Sequence, residues 1–70
     1  MIDSKHAVIH EGDIIKSIVY DDVRFKIASV NEAAGCVIGL RVNKNGDVYK
    51  GAIERTILSD TLETWWEVEL

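Results

Sequence analysis

The pentapeptide Asn43-Lys44-Asn45-Gly46-Asp47 lies between two apolar stretches and constrains the fold of this chain more than any other feature. Asn-Gly tolerates the positive φ angles that tight hairpin turns need, so the chain is expected to reverse here. On one side, Cys36-Val37-Ile38-Gly39-Leu40-Arg41-Val42 reads as a strand with Cys36, Ile38, Leu40 and Val42 toward the core. Gly39, on the other face of that strand, implies a bend or a close backbone neighbour. On the far side, Val48-Tyr49-Lys50-Gly51-Ala52-Ile53 reads as the returning strand.

The same period of two recurs upstream. Val23, Phe25 and Ile27 alternate with Arg24 and Lys26 in the run at 23–30, the pattern of a half-buried strand. Ile14-Ile15-Lys16-Ser17-Ile18-Val19-Tyr20 is β-branched with imperfect alternation, which suggests a bend or bulge, and Asp21-Asp22 then makes a polar turn. Ala7-Val8-Ile9-His10 is a short candidate first strand. Residues 54–62 lack alternation and predict a helical turn capped by Ser59 or Asp60. The run at 63–70 alternates again, with Trp66, Val68 and Leu70 inward and Trp65, Glu67 and Glu69 outward.

So short a chain needs a compact core or extra cross-links. With Cys36 the only cysteine, neither an intramolecular disulfide nor a thiolate zinc site can be built, so apolar packing or oligomerisation must hold the fold. A hydrophobic fraction of 47% permits a core. No proline, repeat or low-complexity stretch marks a linker, which predicts one small, soluble, mostly-β domain over residues 1–70. No apolar run approaches a membrane span, the first twelve residues do not resemble a signal peptide, and the lone thiol fits the cytoplasm.

Charge narrows the function classes. Residues 1–53 carry seven acids and seven bases, so the net charge of −4 arises in residues 54–70, where Glu54, Asp60, Glu63, Glu67 and Glu69 face only Arg55. Nucleic-acid binding surfaces gather Lys and Arg to displace phosphate counterions, and no such cluster is present in the sequence.

Catalytic and metal chemistry find little footing. Cys36 falls among core-facing residues, where a thiol is inert. On a strand, His6 and His10 would share a face about 13 Å apart, too far for one metal ion. Asp21-Asp22, with Glu11 and Asp13 nearby, is ordinary turn chemistry, and Asn43, Asn45 and Asp47 lack the later Glu of a calcium loop. No glycine-rich loop precedes a helix, so no phosphate cradle is read. The expectation is a non-enzyme with no cofactor and no metal.

The element order (a Gly12-Asp13 entry, a meander, and a helical turn before a last strand) resembles SH3-like barrels over roughly residues 11–70, on spacing and turns. The expected fold is therefore a small SH3-like barrel of about five strands. Such domains use aromatics near strand ends to hold peptides, which is what the resemblance implies here. Tyr20, Tyr49, Trp65, Glu67 and Glu69 are the partner-binding candidates: outward aromatics are enriched at binding surfaces, and an acidic tail suits a partner with a basic patch. The expected function is a protein- or peptide-binding or adaptor module, with homodimerisation through the last strand and Trp65 as a linked option. The alternative is a small acidic inhibitor of a nucleic-acid-handling enzyme. Neither direct nucleic-acid binding nor membrane binding is expected.

Overall fold

The computed structural model describes residues 1–69. It is mostly β: β1 (Ile14–Ser17), β2 (Arg24–Asn31), β3 (Cys36–Val42) and β4 (Arg55–Leu58) are followed by helix α1 (Ser59–Trp65) and β5 (Trp66–Val68). All five strands form one antiparallel sheet in the order β4-β3-β2-β1-β5. Among the described residues no ladder joins β4 to β5, so the expected barrel is, in its hydrogen bonding, an open sheet. Helix α1 spans the interval between those two edges and packs Leu62, wholly buried, into the core.

That core lies on one face of the sheet. Ile15, Phe25, Ile27, Val37 and Ile57 meet there with Ile9 and Leu62. Phe25 and Ile27 face inward as the alternation of β2 predicts. Of the four β3 residues expected inward, only Val42 is buried, and the other three lie on the opposite face from the core cluster. Register pairs Phe25 with Arg41, Ile27 with Gly39 and Val30 with Val37, placing 37, 39 and 41 on the core side, while Cys36, Ile38 and Leu40 are only half-buried. Five of the seven residues of β3 are apolar at both parities, so alternation alone favoured the wrong face. A one-residue bulge at Ala28, between Ile27 and Ser29, lets both Ile27 and Val30 point inward. Gly39 then sits beneath Phe25, where an added Cβ would lie 3.1 Å from the Phe25 Cβ. Phe25 also meets Trp66 edge-on, with ring centroids 5.5 Å apart.

The turn at 43–47 forms as expected. The Asn43 side-chain oxygen accepts the N–H groups of Asn45 (2.8 Å) and Asp47 (3.1 Å), and Gly46 has φ +87°. Its return differs from expectation. Val48 makes one bridge with Val42, a second turn follows with Gly51 at φ +78°, and the ladder resumes only at Arg55. Gly51 interrupts 48–53 before a strand can extend, so the returning strand is β4. Replacing Asn43 by alanine should lower the urea midpoint by the equivalent of about 1 kcal/mol, the cost of losing those acceptors.

Two further boundaries move. Helix α1 begins at Ser59 with Leu58 as its N-cap and no side-chain cap bond, so neither Ser59 nor Asp60 caps it. It runs on through Trp65, leaving three residues for the last strand; the expected inward Leu70 lies outside the described residues. The candidate first strand at 7–10 contributes only the bridge from Val8 to Ile2.

Candidate functional site

Strand β1 stops at Ser17, short of the predicted Tyr20, because its buried hydroxyl oxygen accepts the N–H groups of Val19 (3.1 Å) and Tyr20 (3.0 Å). The chain then turns through Asp21 and Asp22, and the Val23 N–H returns to the Tyr20 carbonyl at 3.1 Å. This loop holds Ile18, Val19 and Tyr20 exposed, Tyr20 at 66%. Its other anchor is the helix end: the Ile18 N–H donates to the Trp65 carbonyl at 2.9 Å.

Adjacent tryptophans divide at the junction of α1 and β5. Trp66 pairs with Ser17 across the ladder and turns toward Phe25, whereas Trp65, 50% exposed, stays outside. The result is an apolar groove of 420 Å³ lined by Ser17, Val19, Tyr20, Val23, Trp65 and Trp66. Tyr20 and Trp65, candidates that lie 45 residues apart in sequence, are thereby brought together. Val19 and Trp66 are lining residues that the sequence reading passed over. A signal for the first exists: three successive apolar residues before Asp21-Asp22 cannot all be buried in a turn.

The other candidates lie apart from this groove. Because Trp65 is helical, it does not share a strand face with Glu67 and Glu69. Both glutamates are paired on the outer side of the sheet. Glu67 meets Lys5 at 2.9 Å and Lys16 at 3.6 Å, and Glu69 accepts the Arg24 Nε–H at 2.8 Å. The Lys5 hydrogen bond holds the Glu67 carboxyl below its ordinary range, and Glu67 in turn raises the Lys5 ammonium. Their charge is thus largely committed internally. Tyr49 sits on the return loop, with its ring centroid 6.0 Å from the Arg41 guanidinium carbon.

Other carboxylates of the described residues are without an ion-pair partner. Asp21 and Asp22 adjoin Tyr20, and Asp60 and Glu63 lie on α1; among the described residues no cation comes within 4.0 Å of any of the four. The outer edge of β5 is engaged already. Ser4 donates its N–H to the Trp66 carbonyl (2.8 Å), and the Asp3 carboxylate accepts the Val68 N–H (2.7 Å). Edge-to-edge pairing of two copies through the last strand would have to displace that segment.

Cys36 is half-buried rather than enclosed, opposite Leu58 at the end of β3. His10 approaches Asp13 at 3.7 Å, and His6 occupies a turn at φ +65°. Among the described residues, no three His, Cys, Asp or Glu side chains converge on one point, and no helix is long and apolar enough to cross a membrane. Comparison with protein families, with curated proteins and with solved structures returns no match for this chain.

Proposed function

We propose that this chain is a non-enzymatic binding module of SH3-like kind that holds a peptide or protein segment in the groove between Tyr20 and Trp65. The observation that carries the reading is the convergence of these two exposed rings on one apolar groove. The order β4-β3-β2-β1-β5, with a helical turn before the last strand, supports the SH3-like part of the proposal. An aromatic pair offers large apolar area at low entropy cost, which makes it the natural anchor of a binding surface. The free carboxylates of Asp21 and Asp22, next to Tyr20 in the loop, favour a segment whose apolar anchor is flanked by Lys or Arg.

Peptides selected on the wild-type protein from a random library should carry an aromatic or long aliphatic residue with basic neighbours. Trp65→Ala should weaken the best of them by about 30-fold, the loss expected for a central aromatic. Trp65 is half-exposed at a helix end, so the variant should keep its thermal midpoint. Undiminished affinity in Trp65→Ala and Tyr20→Ala would refute the groove. Sedimentation at micromolar concentration addresses self-association: a dimer broken by Trp65→Ala would make a second copy the occupant instead.

A further inference from the structure

We propose that Arg41 and Arg55 form an oxyanion-binding site, taking a carboxylate or phosphate group carried on an apolar body. It shares no residue with the aromatic groove. The register places both arginines on the core face: Arg41 lies opposite Phe25, and Arg55 lies opposite Gly39, itself the partner of Ile27. They stand as diagonal neighbours at the rim of the sheet, beside a cleft of 300 Å³ completed by Phe25, Gly51 and Ile53.

Three observations mark this cleft as a site. Among the described residues neither guanidinium has a carboxylate within 4.0 Å, whereas Arg24, the third arginine, is paired with Glu69; Lys26, Lys44 and Lys50 are also unpaired but line no cleft with them. The Arg41 Nε is shielded from solvent and has no hydrogen-bond acceptor. A shielded charged donor left unpaired is rare and costly, and a turn of the Arg41 side chain toward an oxyanion in the cleft would give it the acceptor it lacks. The Tyr49 ring lies 6.0 Å from the Arg41 guanidinium carbon, within cation–π reach.

The chemistry of the cleft defines the ligand class. Each guanidinium is a planar fork of N–H donors, the geometry that matches the paired oxygens of a carboxylate or phosphate. Phe25 and Ile53 supply apolar surface at their side. A bare inorganic ion would use the first feature only, while a carboxylate on an aromatic or aliphatic body would use both.

The test is an NMR titration of the whole chain, following backbone amides and the Arg Nε–H signals, with inorganic phosphate and with benzoate. Sodium chloride at equal ionic strength is the control. Saturable shifts should centre on Arg41, Gly51, Ile53 and Arg55 and weaken as salt rises. Stronger binding of benzoate identifies a carboxylate on an apolar body as the ligand, and stronger binding of phosphate identifies a phosphate ester. Exposed Arg55 can be changed without opening the core, so Arg55→Ala should weaken the better probe by about tenfold at an unchanged thermal midpoint. Arg41→Lys keeps the charge, loses the fork and should also weaken binding. Failure of both probes to saturate overturns the proposal. So do shifts spread equally over Lys26, Lys44 and Lys50, or wild-type affinity in both variants.

Discussion

Replacing Asp3 by alanine should cost about 3 kcal/mol or more and leave the protein partly unfolded at room temperature. Asp3 is 2% exposed, and its carboxylate serves three backbone donors, accepting the N–H groups of Lys5 (2.8 Å), Ala7 (2.8 Å) and Val68 (2.7 Å). Two of these bonds close the turn through His6, and the third fastens that turn to β5. Each orphaned buried donor costs about 1–3 kcal/mol, and a 70-residue domain has only about 4–10 kcal/mol in total. Asn at this position keeps one acceptor oxygen but turns an amide donor toward a donor, so Asp3→Asn should recover only part of the loss.

The same residue sets a pH dependence. Burial by itself would raise the Asp3 carboxyl, but the N–H groups of Val68, Ala7 and Lys5 outweigh it and hold the group below its ordinary value. A carboxyl that ionises more readily in the folded chain binds fewer protons there than in the unfolded chain. Its stabilisation is therefore complete above the unfolded value of about 4 and is lost as pH falls through the lower folded value. Glu67, also depressed, adds in the same direction. Urea titrations from pH 7 down to pH 2 should show a fall in wild-type stability that is much flatter in Asp3→Asn, which lacks the titrating carboxyl and keeps more of the fold. A variant as steep as wild type would mean that another carboxylate governs acid unfolding.

Phe25→Ala should cost about 3–5 kcal/mol, comparable to the whole stability of the chain. The ring is the central piece of the core face. It lies over Gly39 of β3, packs edge-on against Trp66 of β5, and borders the interval that α1 crosses between β4 and β5. Removing it leaves a cavity that backbone on one side and a tryptophan on the other cannot readily fill. Phe25→Leu, which retains most of the volume, should cost about a third as much. Gly39→Ala tests the same contact from the other strand: its Cβ would meet the Phe25 Cβ at 3.1 Å, an atom fixed by its own backbone. Chemical unfolding monitored by tryptophan fluorescence would rank the three, and a Phe25→Ala cost below about 1 kcal/mol would refute the central role.

The candidate site was legible in part. Tyr20 and Trp65 stood out as outward aromatics, and the groove contains both. Glu67 and Glu69 stood out as free acidic charge, yet Lys5, Lys16 and Arg24 take them up from distant positions in the chain. Asp3 was passed over because nothing local distinguishes an N-terminal aspartate from a solvated one. Its importance comes from Val68, 65 residues away. Arg41 read as an ordinary strand charge and Arg55 fell in the stretch read as a helical turn, until register set both on the core face of β3 and β4.

Local patterns alone were enough to establish a mostly-β chain, the turn at Asn43-Lys44-Asn45-Gly46-Asp47 and the inward face of β2, because backbone propensity and period-two alternation act over a few residues. The face of β3, the delayed return at β4 and the division between Trp65 and Trp66 were decided in three dimensions. Each depends on which distant backbone supplies the hydrogen bonds. A one-residue change of register reverses every side chain on a strand, and no local pattern reports the bulge at Ala28 that sets it.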